Sequence, residues 1–402
     1  ARFGRELADD VAQRLKASTS PSAATDALPT AATDALRTFL SSHRIDASAV
    51  LAWIAQSSQL PPQEDLLASF GEPPITIVNR PEFYIQLLFW GDGTTRVHQH
   101  AFSGAFAVLS GSSIHVEYTF EPAIVSSERF MTGRLSHKST EYLRCGDCRA
   151  IIGGSKFIHS VFHLDHPTVS VVIRNHGDPG ATTQLAYRPT VALDVFDLAA
   201  SDLRKQQILD LACESENCDA LLTSMIGSSD IVGAYLLLEQ LTRRRGSVGA
   251  VANLVAHAET VHGAAASAFS ESLSDLLREE NIVERRKAVR EPHHRHILAL
   301  LLTVPNREGI LALLRNIEPE SDPVDVLIRG LREMLKLEAP ASFGANALGI
   351  ELGPLAFTFL EDVLRGASID EAALGCEDAM QGQMLALQLP MSQLLRPLFR
   401  AS

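Results

Sequence analysis

The stretch Trp90-Gly91-Asp92-Gly93-Thr94-Thr95-Arg96-Val97-His98-Gln99-His100, running on through Gly104 to Gly111, decides how the chain is read. Side chains alternate across a β-strand, so two histidines two positions apart face the same side. In a barrel that side can be the interior, where two imidazoles can meet one cation. A later stretch supplies a third imidazole: Gly146-Asp147, then Gly153-Gly154, then His159, with Pro167 and Ser170 beyond. Three neutral imidazoles suit Fe, Zn, Cu or Ni and leave coordination positions open. An isolated His-x-His is a weak signal, more often a pair of packed polar side chains. Its weight here comes from the glycines around it and from the Gly-Gly-x4-His element that follows. His163 and His166 lie close enough to take the place of His159, and strand parity or a turn has to decide between them. The spacing from Gly153-Gly154 favours His159.

Working outward, strand-like stretches surround the motif at Ile75 to Val78, Phe83 to Trp90, Ala105 to Leu109, Ile114 to Phe120, Ala150 to Ile152 and Val169 to Arg174. In one of them Ile114, Val116, Tyr118 and Phe120 alternate with His115, Glu117 and Thr119, the period of a half-buried strand. Gly-rich turns at short intervals predict an antiparallel barrel or jelly roll. Before it, Leu7, Val11 and Leu15 mark a short amphipathic helix, and Asp46 reads as the N-cap of a helix carrying Val50, Leu51 and Ile54. Between them, Ser18 to Thr33 is mostly Ser, Thr, Ala and Pro and reads as a flexible link. After Pro189 the pattern turns helical. Asp322-Pro323 caps a helix whose Val324, Leu327, Ile328, Leu331 and Leu335 form one apolar stripe. The expected organisation is α+β: a helical N-terminal segment with its link over 1–72, a metal-binding barrel over 73–190, and a large all-α domain over 191–402.

Composition narrows the function classes. The 402 residues carry a net charge of -13 with scattered basic residues, which argues against nucleic acid as a partner. No apolar run reaches the roughly 18 residues that span a bilayer, so no membrane role is expected. Five cysteines, an odd number in a long chain, point to a reducing, cytoplasmic setting rather than a disulfide framework. Cys145-Gly146-Asp147-Cys148 has the spacing of a zinc knuckle or redox pair, but no second pair lies nearby and a structural turn is the commoner outcome. His293, His294 and His296 open a leucine-rich helix, where solvated histidines are commoner than ligands.

Together the His98-x-His100 stretch and the Gly153-Gly154-x4-His159 stretch resemble the two sequence motifs of the cupin superfamily, which implies a cupin β-barrel. Cupins commonly add a glutamate as fourth ligand a few residues after His-x-His, and that position is Gly104 here. A three-histidine site without the glutamate is similar to the cysteine dioxygenase family of thiol dioxygenases. Phe89-Trp90-Gly91-Asp92-Gly93 resembles that family's entry strand, and Ile158-His159-Ser160-Val161 with Pro167-Thr168-Val169-Ser170 resembles its third-ligand region. The likeness runs from about Ile75 to Arg174 and does not cover the rest. It implies iron(II) on His98, His100 and His159, with a small-molecule substrate and dioxygen as partners. The chain also departs from the family. Arg174 stands where the catalytic tyrosine would be, Val172 replaces a histidine, and Gly104 precludes a Cys–Tyr crosslink.

The functional expectation is therefore a mononuclear iron(II) oxygenase acting on a small polar substrate of the amino-acid or thiol class. Arg80, Arg96 and Arg174 are candidates to grip a substrate carboxylate, since a guanidinium offers a planar bidentate fork. Arg174, at the family's tyrosine position, is the catalytic candidate. Surface or structural ion pairs are the competing reading for each arginine. Two rivals stand beside the oxygenase: a non-catalytic metal or ligand sensor, and a zinc- or nickel-dependent isomerase or lyase. The helical domain is a candidate surface for a homodimer partner or for a carrier or peptide.

Overall fold

The computed structural model describes residues 2–17, 24–44, 47–64, 70–91, 94–178, 180, 183–338 and 346–400. Asp46, Asp92 and Gly93, named above, and the first part of the expected link lie outside them. Three helices open the chain, α1 (Arg2–Ala17), α2 (Ala24–Ser42) and α3 (Ala47–Gln56). Among the described residues eleven strands follow: β1 (Pro74–Asn79), β2 (Tyr84–Trp90), β3 (Thr94–His98), β4 (Gly104–Ser110), β5 (Ser112–Ser127), β6 (Phe130–Arg144), β7 (Cys148–Ile151), β8 (Ile158–His163), β9 (Thr168–Arg174), β10 (Leu185–Tyr187) and β11 (Val191–Asp194). One sheet has the order β1-β2-β9-β4-β7 and the other closes as β10-β11-β6-β5-β8-β3. Within them, β2-β9-β4-β7 faces β3-β8-β5-β6, the interleaved order of a double Greek-key jelly roll. From Ala200 to Phe399 the regular elements are helical, which completes the α+β architecture expected of a cupin barrel with a large helical addition.

Both sheets are covered on their outer faces, which is why β2, β8 and β11 are buried along their whole length. Ile85, Leu87 and Phe89 of β2, with Val169, Val171 and Ile173 of β9, pack against Leu7 and Val11 of α1 and Leu28, Ala32 and Leu36 of α2. On the other sheet, Ile114 and Val116 of β5 and Phe162 of β8 join a core with Ile297, Leu301, Leu327 and Leu331 of the helical region. Phe130, Val191 and Leu193 enter a second helical core around Tyr235 and Phe269. No helix among the described residues is long and apolar enough to cross a membrane.

Two expectations are corrected. The segment read as a flexible link is helical from Ala24 onward as the first part of α2, with Leu28, Ala31 and Ala32 buried. Its low complexity hides an alanine-rich helix, and alanine is both the strongest helix former and small enough to let a helix approach a sheet closely. The barrel also runs past residue 190, because β11 pairs with β6 and β10. Four residues between Pro189 and the first helix of the C-terminal region are too short to show a period.

Candidate metal centre

His98 is the last residue of β3 and His159 the second of β8, and the antiparallel register sets them directly opposite each other. A register shift between Thr95 and His98 turns the end of β3 inward. His100 follows just beyond the strand, so the pair is brought to one side by the strand end and the turn after it. All three imidazoles are buried, and one ring nitrogen from each lies within 4.8 Å of the others. His163 and His166 do not join that group among the described residues. His163 faces the barrel interior instead, its ring stacked on Trp90 at 4.4 Å and its Nδ1 3.0 Å from Ser113 Oγ.

The electrostatics keep these rings neutral. Burial pushes the pKa of His98 down to about 4, partly countered by its hydrogen bond to the Arg96 carbonyl. Burial likewise drives His100 and His159 well below the ordinary histidine range, with the neighbouring histidines adding to it. A neutral imidazole keeps a lone pair, which is what a transition metal needs. His98 Nδ1 donates to the Arg96 carbonyl at 2.7 Å, leaving Nε2 as the lone-pair atom. That Nε2 and His100 Nδ1 are buried without a hydrogen-bond partner in the structure. His100 Nε2 and His159 Nε2 lie 2.9 Å apart. Unsatisfied buried polar atoms cost about 1–3 kcal/mol each, a cost that a coordinated cation offsets. The donor set fits a transition-metal ion.

His115 belongs to this site and was not singled out from the sequence. It is fully buried, and its Nε2 lies 3.1 Å from His159 Nδ1. Its Nδ1 lies 3.3 Å from Glu141 Oε1, and Glu141 is held by Arg149. Hydrogen bonds from His115 and Arg149 push the Glu141 carboxyl down to about 2. The alternation on β5 held the signal. The apolar face meets the helices, and the polar face that reads as solvent-exposed is, at this end of the strand, the barrel interior.

A cavity of about 50 Å³ adjoins the histidines, walled by Phe70, Trp90, Phe102, Phe106, Ile151 and Val172, with Arg174 on its lining. The Arg174 guanidinium lies 4.4 Å from the Phe102 ring centre and 4.8 Å from that of Tyr84. The other two arginines are elsewhere. Arg80 pairs with Asp9 at 2.6 Å. Arg96 points to the helical region, 2.8 Å from Glu280 and 3.5 Å from Glu279, and lines a separate cavity of about 240 Å³. Neither is placed to meet a ligand at the histidines. Arg96 reaches the site through its backbone carbonyl.

Gly104 pairs with Arg174 so closely that a Cβ there would sit 1.9 Å from the Ile173 carbonyl oxygen. A side chain there would force the β9 backbone to shift, and glycine offers no fourth ligand at that position. Cys145 and Cys148 flank the β6–β7 turn as free thiols, and burial raises Cys148 to about 11. His293 and His294 pair with Glu318 and Glu333, while His296 stacks on Tyr142.

No protein-family model matches the chain, and no curated protein matches it. Solved structures do show similarity. A hydroquinone 1,2-dioxygenase from Sphingomonas sp. is 12% identical over 27% of this chain and 68% of its own, with a TM-score of 0.22. A DMSP lyase from Ruegeria pomeroyi is 15% identical over 40% of this chain and 78% of its own, at 0.24. A cupin-2 domain protein from Shewanella frigidimarina is 15% identical over 27% and 86%, at 0.19. At TM-scores this low they say nothing of the chemistry here, and the jelly roll is read from the chain's own strand order.

Proposed function

We propose that this chain is a mononuclear metal-dependent oxygenase, with His98, His100 and His159 holding iron(II) and Arg174 receiving the carboxylate of a small polar substrate of the amino-acid or thiol class. One observation carries the reading. Three buried, neutral imidazoles converge within 4.8 Å, and His98 Nε2 has no other partner in the structure. Iron(II) in that position supplies redox chemistry with dioxygen and open coordination positions for substrate.

The chain's own residues do the rest. The Arg96 carbonyl fixes the His98 ring with Nε2 facing inward. Phe102, Phe106 and Trp90 exclude water, which strengthens each polar contact made inside. Arg174 presents a fork that binds a carboxylate bidentately, held against Phe102 and Tyr84 by cation–π contact. Arg174 takes the family's tyrosine position with a permanent cation in place of a phenol, which favours binding and orienting an anion over moving a proton.

Metal analysis of protein produced without added metal, followed by oxygen uptake with small carboxylates and thiols, tests this. Near-stoichiometric iron is expected, lost together with oxygen uptake in His98→Ala. Full oxygen uptake by a metal-free His98→Ala protein would sink the reading. Stoichiometric zinc or nickel with no oxygen uptake would move the same ligands to isomerase or lyase chemistry.

A further inference from the structure

We propose that His115 and Glu141 are positioning residues that set the tautomer of His159 and so point its Nε2 lone pair into the metal site. This inference rests on the metal-centre reading above.

It follows from the directions that hydrogen bonds must take along one chain of groups. A neutral imidazole has a single N–H, so a ring between two partners donates from one nitrogen and accepts at the other. The outer end of the chain is Glu141, a carboxylate that can only accept, gripped by the Arg149 guanidinium through both of its oxygens. His115 Nδ1, 3.3 Å from Glu141 Oε1, must therefore donate. That leaves His115 Nε2 as an acceptor. His159 Nδ1, 3.1 Å away, must then be the donor of the next bond. His159 Nε2 is left bare, on the side where His100 Nε2 lies 2.9 Å away. A carboxylate near the barrel surface thus determines, two rings inward, which nitrogen of a buried histidine is available to a cation.

Packing holds the chain in line. His115 is fully buried, its ring 5.8 Å from and nearly parallel to Phe157, while Phe157 and Phe106 also flank His159. The strand register builds it as well: His115 pairs with Glu141 across β5 and β6, and with Val161, on the same face of β8 as His159. Neighbouring strands thus hand one proton orientation across the sheet. Ligand histidines commonly give their second N–H to a carboxylate or carbonyl. Here a second histidine stands between, so the tautomers of two rings are locked as a unit.

The test uses the full-length protein and two variants, His115→Phe and Glu141→Gln. The phenyl ring keeps the volume and removes both nitrogens. The amide can offer N–H to His115 and so permits the reversed chain. Cobalt(II) affinity is measured by chelator competition. The histidine tautomers of metal-free protein are read from ¹⁵N spectra, with signals assigned through His159→Gln and His115→Phe. Wild type should show His159 as the Nδ1–H tautomer, Glu141→Gln should populate Nε2–H, and both variants should bind cobalt(II) roughly 10–100-fold more weakly. An unchanged His159 tautomer in Glu141→Gln, with both variants within about twofold of wild-type affinity, would overturn the inference and leave the metal centre standing. Wild-type protein that takes up neither cobalt(II) nor iron(II) overturns the metal-centre reading and this inference with it.

Discussion

At the scale of single residues, Gly104 shows how a missing side chain can be informative. The resemblance to cupins implies a glutamate ligand at this position, and the structure supplies the reason a side chain does not fit there. The β9 backbone passes so close that a Cβ would fall 1.9 Å from the Ile173 carbonyl oxygen and 2.9 Å from Arg174 Cα. Either β4 and β9 part or the carbonyl shifts, and both disturb the strand that carries Arg174. Gly104→Ala is expected to cost about 1–3 kcal/mol or more, read from urea unfolding of metal-free protein. A variant as stable as the parent would show that the strands separate freely there. The three candidate histidines were legible from the His-x-His pair, the glycines around it and the likeness of both stretches to cupin motifs, with His163 and His166 left as rivals to His159 until the register was known. His115 was not, since one histidine in an alternating strand looks like any polar position until the facing element is known.

At the scale of elements, β8 and α2 make opposite points. In β8, His159, Val161 and His163 line the cavity while Phe162 joins the core toward the helices, so one six-residue strand carries a candidate ligand on one face and a core on the other. Its parity could be counted in the sequence. The helix α2 reads as a link in its first part, up to Thr33, because alanine-rich, proline-containing sequence is ambiguous between the two. Its spacing of Leu28, Ala32, Ala35, Leu36 and Phe39 becomes meaningful once a sheet is present to receive it. Leu28, inside the stretch read as a link, is buried there, so Leu28→Ala should destabilise the protein by about 2–4 kcal/mol in denaturant titrations. A flexible link would tolerate it without loss. The strand β6 escaped notice for a related reason: Phe130–Arg144 is largely polar, and it gains its place by pairing along β5.

At the scale of the whole molecule, the helical region is part of the barrel's structure. It supplies the apolar surface that Ile114, Val116 and Phe162 bury against. It also grips β3 by charge: Glu279 and Glu280 hold Arg96, and Arg286 donates to Thr94 Oγ1 at 2.8 Å. His98 lies two residues beyond Arg96, so the barrel edge bearing this candidate ligand is tied to the helices. The same interface predicts an acid response. His296 is stacked on Tyr142 of β6, and burial pushes its pKa from 6.5 down to about 3. A group kept neutral when folded takes up a proton on unfolding, so its contribution is full above about pH 6.5 and is lost as pH falls toward about 3. His296→Phe keeps the stacking and removes the titration. Its unfolding midpoint should fall less between about pH 7 and about pH 5 than the parent's, and an equal fall would exclude His296 as a source.

What the sequence determined by itself is what local periodicity and residue chemistry can encode: strand and helix stretches and the His98-x-His100 pair with a small set of candidates for a third imidazole, while the reading of Gly104 came from the cupin resemblance. The tertiary structure decided which polar faces are interior, and hence that His115 and Glu141 back the site while Arg80 and Arg96 do not enter it. It also decided that an alanine-rich stretch is a buried helix and that the helical half clasps β3. The physical reason is the same in each case. A side chain's period states which neighbours share its face, but the environment of that face is set by whatever packs against it, and those partners lie tens to hundreds of residues away.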